Sequence, residues 1–143
     1  MRTIKFRGRD ENGKWWYGDL RHTMMVYGQA HIRIVDNGLE QLRLTEHWSD
    51  RINPETVGQF TGLLDRNGKE IYEGDVFTFG RLTGIITWHP DGYWCIHTSR
   101  SEIEYCSYNT LGEMIKHLNS NNIEYGVIGN IHDNPELIKE VAI

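Results

Sequence analysis

Apolar and polar residues alternate in the first stretches of this chain, with the period of two that is typical of half-buried β-strands. Residues 4–7 alternate in this way, residues 14–20 resume as a strand, and Asn12-Gly13 lies between them. An Asn-Gly pair can place both of its residues at positive φ, as a two-residue type I′ turn requires. The pattern therefore predicts an N-terminal β-hairpin closed by a type I′ turn.

The phrase that contains this turn occurs twice. Residues 10–20 read DENGKWWYGDL, and residues 65–76 read DRNGKEIYEGDV, with one residue inserted in the second copy. Both copies begin Asp-x-Asn-Gly-Lys and end in Gly-Asp followed by an aliphatic residue. Asn67-Gly68 therefore predicts a second hairpin of the same type.

The stretch between the two copies predicts a further hairpin. Residues 29–35 alternate, residues 36–38 read Asp-Asn-Gly, and residues 39–44 resemble a returning strand. Residues 47–53 are polar and irregular, which predicts a loop. A strand over residues 56–60 then brings the chain back into a sheet.

The second half of the chain is rich in short predicted strands. Residues 76–79, 84–88 and 93–98 form a three-stranded meander, and His89-Pro90-Asp91-Gly92 suits a type I turn. A closing strand is predicted over residues 124–131. Short connections after a Gly-Asp-aliphatic opening favour a small SH3-like barrel.

One helix interrupts the strands. Thr110 and Glu113 form a capping box, and four apolar residues follow at positions i, i+3, i+4 and i+7. These residues are Leu111, Met114, Ile115 and Leu118. Pro135 is placed to begin a short final helical turn.

These elements predict a mainly β fold of the α+β class. We expect an N-terminal β lobe over residues 1–60, packed on an SH3-like β-barrel over residues 61–143. The second part would include one short capping helix over residues 110–119, the closing strand and a C-terminal tail.

Composition places the chain among cytosolic globular proteins. Its 143 residues are 38% hydrophobic and include two cysteines, Cys95 and Cys106. No apolar run is long enough for a secretory signal or a membrane span, so we expect no membrane partner. Cysteines in such a chain are expected to be reduced and buried rather than disulfide-bonded.

Charge is distributed unevenly along the chain. The net charge is −5, yet residues 1–21 carry six Lys and Arg against three Asp and Glu, whereas residues 101–143 carry two against seven. Solubility alone can explain this asymmetry. It also suits a nucleic-acid partner at the basic end, or a head-to-tail contact between subunits.

The sequence offers one candidate metal site and one candidate catalytic pair, and it supports both only weakly. Cys95 and His97 would share one face of a strand, but two ligands do not complete a zinc site, so we expect neither metal nor cofactor. Asp19 and Asp75 are equivalent in the two copies and suggest paired carboxylates. An Asp at a strand entrance more often accepts backbone hydrogen bonds, and we therefore expect no enzyme activity.

The strongest candidate for binding is the basic, aromatic N-terminus, with Tyr17 beside it. Phosphate neutralisation combined with base stacking is how β proteins bind single strands. Consecutive tryptophans point to opposite faces of a strand, so at least one could instead belong to the core. The candidate nucleic-acid-binding residues are Arg2, Lys5, Arg7, Arg9, Lys14, Trp15 and Trp16.

Three phrases resemble the YopX family of phage and prophage proteins. They are IKFRGRDENGKWWYGDL, TVGQFTGLLDRNGKEIYEGDVF from Thr56, and YGVIGNIHDNPEL from Tyr125. Residues 21–50 match no motif of the family. The resemblance implies a small accessory protein in the cytoplasm of a bacterial host, and it supplies no catalytic residues to transfer.

The function expected from the residues and the resemblance is therefore non-enzymatic. We expect an accessory protein of a phage, prophage or mobile element that acts through protein–protein contacts or self-assembly. Its partner would be a second copy of the chain, as a homo-oligomer, or a phage or host protein. Nucleic-acid binding through the N-terminal hairpin is the alternative.

Overall fold

The computed structural model describes residues 2–24, 30–36, 47–48, 52–98 and 110–138. The chain divides into two compact units, Met1–Phe60 and Thr61–Ile143. The elements of the described residues are β1 (Phe6–Arg9), β2 (Trp15–Met24), β3 (Ala30–Asp36), β4 (His47–Trp48), β5 (Gly58–Leu64), β6 (Glu70–Tyr72), β7 (Asp75–Phe79), β8 (Leu82–His89), β9 (Tyr93–His97), α1 (Leu111–Ser120) and β10 (Tyr125–Asn130). Two 3₁₀ turns, Pro54–Thr56 and Pro135–Ile138, complete them.

The first unit is an antiparallel sheet in the order β4-β3-β2-β1-β5. Strand β5 crosses the boundary between the units, and its second half belongs to the second unit, where β6 is its neighbour. In the first unit β1 pairs with β5 through Phe6 opposite Gln59 and Arg7 opposite Gly58. That the two units are separate domains remains a prediction.

A small apolar core lies on one face of the first sheet. Ile34 is fully buried, Ile52 is buried beside it, and both contact the position of Gly8 on β1. A Cβ atom on Gly8 would overlap the side chain of Ile52, so this strand tolerates only glycine at that position. Thr56 fixes the end of β1, because its Oγ1 accepts the N–H of Arg9 at 2.8 Å.

The second unit contains an antiparallel sheet in the order β10-β7-β8-β9. A β-bulge between Val127 and Gly129 interrupts the pairing of β10 with β7 and leaves the intervening Ile128 about half exposed. Helix α1 covers this sheet with the four side chains that its periodicity predicted. Each such buried side chain contributes about 1.5–3 kcal/mol. They pack against Ile71, Phe77, Phe79, Ile86, Ile96 and Tyr125.

In the described residues the mainly β class with a single short helix is confirmed. A closed barrel is not found in the part of the chain that the structure describes, where β9 and β10 are the edges of an open four-stranded sheet. Strand β6 would belong to a closed barrel of this kind, but it pairs with β5 in the other sheet. The SH3-like expectation is corrected accordingly.

The type I′ expectation for the two Asn-Gly turns is wrong. A type I′ turn needs positive φ at both central residues, but only Gly13 (φ 80°) and Gly68 (φ 81°) have it. The N–H of Gly13 donates to the carbonyl of Asp10 at 3.1 Å, and the N–H of Asp10 donates to the carbonyl of Lys14. The first loop is therefore a type I turn followed by a glycine bulge, and the second has the same bonds.

Other predicted boundaries moved by a few residues. The expected loop over residues 47–53 contains the two-residue strand β4, and residues 54–56 form a 3₁₀ turn, so β5 begins only at Gly58. The turn before β9 is confirmed, because the N–H of Gly92 donates to the carbonyl of His89 at 2.9 Å. The expected strand over residues 39–44 lies outside the described residues, as does Cys106.

Candidate nucleic-acid interface

Strands β1 and β2 place basic and aromatic side chains opposite one another. Arg7 lies opposite Tyr17, and Arg9 lies opposite Trp15. Because residues directly opposite in an antiparallel pair share a face, these four side chains lie on one side of the sheet.

Strand β3 extends the same face. Tyr17 and Arg21 are an even number of residues apart on β2, and Arg21 lies directly opposite Arg33. At the other end, the N–H of Phe60 donates to the carbonyl of Lys5 at 2.8 Å, and the Lys5 ammonium lies 5.3 Å from the Phe60 ring centroid. We call this surface the basic face, defined by Lys5, Arg7, Arg9, Trp15, Tyr17, Arg21, Arg33 and Phe60.

The centre of the basic face is a stack of cations on one indole. The Arg7 guanidinium carbon lies 4.8 Å from the Trp15 ring centroid, and that of Arg9 lies 6.0 Å from it. Both distances suit cation–π attraction. Arg7 is buried, whereas Arg9 and Trp15 are half-buried and Tyr17 is exposed. The two guanidinium groups therefore hold Trp15 in place, while Tyr17 on the same face remains accessible.

The opposite side of the hairpin carries a separate cluster. The Lys14 ammonium lies 4.1 Å from the Trp16 ring centroid, and the Trp16 indole N–H donates to Asp10 Oδ2 at 2.9 Å. This hydrogen bond is the largest cause that lowers the pKa of Asp10 below its usual value. Burial of the carboxyl opposes it, while the backbone N–H groups of Lys14 and Asn12 add to it.

The structure thus divides the residues that sequence reasoning selected. It brings Lys5, Arg7, Arg9 and Trp15 together on the basic face. It places Lys14 and Trp16 on the other face, and Arg2 is exposed ahead of β1.

Sequence reasoning missed Arg21, Arg33 and Phe60. Continuing the period-two alternation of β2 past residue 20 could have found Arg21. The pairing of Arg21 with Arg33 depends on strand register, which no short-range signal gives.

The two repeated aspartates do not share an environment. Asp75 is buried, and its Oδ2 accepts the N–H of Tyr72 at 2.7 Å, which is the structural role predicted for it. Asp19 is exposed on β2 and lies in the other unit. The equivalence of the two copies in sequence therefore does not extend to these carboxylates.

The proposed Cys95 and His97 pair is part of an ordinary strand. Cys95 is half-buried rather than buried, and its Sγ lies 3.3 Å from Thr87 Oγ1. Among the described residues, no three His, Cys, Asp or Glu side chains come together in a way that could hold a metal ion. In the same part of the chain no helix has the length and apolarity needed to cross a bilayer.

Comparison with known families shows to which protein family this chain belongs. The family model described as YopX protein matches residues 5–139. The chain belongs to the YopX family. No curated protein matches the sequence significantly.

A solved structure is similar in fold to this YopX protein. The crystal structure of protein EF1440 from Enterococcus faecalis superimposes with a TM-score of 0.52. The alignment covers 97% of this chain and 100% of that one, at 22% sequence identity. At this level of identity the likeness concerns the fold alone, so the basic face must be interpreted from its own residues.

Proposed function

We propose that this YopX protein is a non-enzymatic accessory protein of a phage or integrated element that binds nucleic acid through its basic face. The observation that carries the proposal is the alignment of five cationic side chains on one side of the first sheet, four of which are at least partly exposed. Phosphate neutralisation by Lys and Arg supplies most of the affinity of a non-specific nucleic-acid binder. The cations are Lys5, Arg7, Arg9, Arg21 and Arg33.

The inner and outer parts of the basic face have different roles. Arg7 is only 6% exposed and stacks on Trp15, so it positions the indole rather than meeting phosphate. Tyr17 is 45% exposed and Arg21 is exposed, so both are accessible to a ligand. Contact with nucleic acid is therefore assigned to the side of the face formed by β2 and β3.

The Arg21 and Arg33 pair supports an anionic ligand in particular. Two guanidinium groups directly opposite across two strands place two positive charges side by side, where one phosphate can contact both. Asp19 lies on the same face, one alternate position before Arg21, so the face carries a carboxylate beside its cations.

Single strands suit this surface better than duplexes. The exposed Tyr17 ring, next to half-buried Trp15 on the same face, offers a stacking platform for unpaired bases, as in other sheet-based binders of single strands. Bases inside a duplex are already stacked on each other and cannot use these rings.

The test is fluorescence anisotropy with labelled single-stranded DNA, single-stranded RNA and duplex DNA, from about 50 mM to about 200 mM salt. We expect binding that weakens steeply with salt and that favours single strands. The Arg21→Ala/Arg33→Ala double variant should reduce the slope of log K against log salt by about 1.4 for single strands.

Lys14→Ala is the matched control, since it removes a cation from the other face of the same hairpin. It should bind almost as the parent does. Flat titrations at low salt, or equal losses in the control and the double variant, would overturn the proposal.

Self-association is the second candidate. Trp88 is 50% exposed at the end of β8 and packs edge-on against Trp94, with their ring centroids 4.7 Å apart. Exposed tryptophans are over-represented among residues that carry the energy of protein interfaces. The opposite charges of residues 1–21 and 101–143 also suit contact with a second copy.

Sedimentation equilibrium over a range of protein concentrations tests this candidate. Trp88→Ser should shift the protein towards monomer, and Leu64→Ser, which removes another half-exposed apolar side chain of the same unit, should not. A parent that is monomeric at every concentration would reject self-association.

A further inference from the structure

A cavity of about 270 Å³ opens between helix α1 and the turn that joins β7 to β8. It lies wholly within the second unit, and none of its lining residues belongs to the basic face. Its lining is almost entirely apolar, with one arginine and one histidine among the lining residues. The lining residues are Phe79, Gly80, Arg81, Leu82, Met114, His117, Leu118 and Ile123.

Backbone hydrogen bonds fix the walls of this cavity. The N–H of Gly80, a residue with φ of 59°, donates to the carbonyl of Glu124 at 3.0 Å and ties the β7–β8 turn to the segment after the helix. The N–H of Ile123 donates to the carbonyl of Leu118 at 2.9 Å and closes the end of α1. The cavity is therefore formed before any ligand arrives, which reduces the ordering cost of binding.

The chemical character of the cavity changes from its floor to its rim. Phe79, Met114 and Leu118 are between 4% and 6% exposed and form an apolar floor. Arg81 is exposed in the turn, and His117 is half-buried in the last turn of the helix. An apolar floor with the Arg81 cation at its rim suits a molecule that has an apolar body and an anionic head.

The volume of the cavity limits the size of the ligand. A dry apolar cavity of about 150 Å³ accommodates a benzene ring, and drug-sized ligands occupy sites of about 300 Å³ or more. The methionine thioether on the floor can adjust to ligands of somewhat different shape. We infer that the cavity binds a small carboxylic acid with an aliphatic or aromatic body of about eight carbons, whose carboxylate pairs with Arg81.

The test compares three eight-carbon ligands that differ in their polar head group. Octanoate, octanol and octylamine are titrated at neutral pH into protein carrying ¹³C-labelled methionine methyl groups, and the Met114 signal is followed. We expect saturable shifts with octanoate, about tenfold weaker binding of octanol, and no saturation with octylamine.

One variant tests whether Arg81 binds the carboxylate of the ligand, and a second tests whether the cavity holds the apolar body of the ligand. Arg81→Ala, in an exposed turn, should remove the preference for octanoate over octanol and leave octanol binding intact. Ile123→Trp should fill the cavity and block both ligands, and a thermal melt shows whether that variant is folded. Lys116→Ala is the control, because this exposed helical cation does not line the cavity.

Two results would overturn the inference. If octanoate and octanol bound equally, the Arg81 cation at the rim would not select an acid. If no ligand gave a saturable shift at Met114, the cavity would not be a binding site. Neither result bears on the basic face, which is tested by the nucleic-acid titrations.

Discussion

Asp10 and Asp65 form the same hydrogen bonds at the start of the two repeated phrases. Oδ1 of each carboxylate accepts backbone N–H groups from the residues two and four positions ahead, at 2.8–2.9 Å. Both aspartates are buried. The repeat therefore encodes a carboxylate-organised hairpin loop, and its first residue is as important as its Asn-Gly pair.

The second oxygen distinguishes the two aspartates. Oδ2 of Asp10 accepts the Trp16 indole N–H, whereas Oδ2 of Asp65 accepts the backbone N–H of Val127 in β10 at 3.1 Å. Asp65 thus connects its hairpin to the edge of the second sheet. The two copies share a loop and differ in what the loop holds.

Replacing Asp65 should destabilise the protein strongly. We expect Asp65→Ala to lower the free energy of unfolding by about 2–3 kcal/mol, because the N–H of Val127 and the two loop N–H groups lose their acceptor. Asp65→Asn keeps Oδ1 but cannot accept from Val127, so its loss should be smaller. Urea unfolding followed by circular dichroism measures both.

Asp91→Asn is the control for this prediction, since Asp91 lies in an exposed turn. It should change the unfolding free energy by less than about 0.5 kcal/mol. Equal urea midpoints for Asp65→Ala and the parent would show that the carboxylate does not organise the loop.

The Trp16 hydrogen bond should appear in the acid stability of the protein. Because the pKa of Asp10 is lower in the folded than in the unfolded chain, its contribution to stability is complete above the unfolded value of 3.8 and is lost as the pH falls through the folded value. Trp16→Phe removes the largest cause of the lowered pKa. We expect the variant to begin losing this contribution at a higher pH than the parent does.

Urea midpoints measured between neutral and acid pH test this expectation. Asp10→Asn removes the titrating group. Its pH profile should therefore lack the loss of stability that protonation of Asp10 causes, whether or not Trp16 is present. Parallel profiles for Trp16→Phe and the parent would contradict the assignment.

Local signals explain which parts of the fold could be predicted from sequence. The N-cap, periodicity and length of helix α1 are all encoded within its own residues, and the structure agrees with them. The positions of the two hairpins were also predictable. Their turn type was not, because Asn-Gly suits two loop geometries and the choice depends on the side-chain bonds of Asp10 and Asp65.

Long-range pairing explains what the sequence did not reveal about the basic face. The basic and aromatic composition of the N-terminus identified Arg7 and Arg9 with Trp15. Arg33 joins them only through the register of β3 on β2, and a shift of one residue would place it on the other side. The assignment of Lys14 to the opposite face likewise requires the observed contact with Trp16.

The corrected turn type makes a prediction about the second Asn-Gly pair. Gly68 has φ of 81° and nothing near its Cβ position, so Gly68→Ala should cost about 1–2 kcal/mol through backbone strain alone. Asn67 has negative φ, so Asn67→Ala should cost much less. A type I′ turn would instead make both substitutions costly. Thermal and urea unfolding of the two variants separate the alternatives.

The N-cap of α1 should make a measurable contribution to the second unit. Thr110 Oγ1 accepts the N–H of Glu113 at 3.1 Å, and the backbone of Thr110 is extended, as an N-cap requires. Thr110→Ala should lower the free energy of unfolding by about 1 kcal/mol, whereas Thr110→Ser keeps the acceptor and should lose only a few tenths. Urea unfolding followed by far-ultraviolet circular dichroism measures the difference. If both variants unfolded with the parent, the helix would owe its stability to the packing of its apolar stripe and not to the cap.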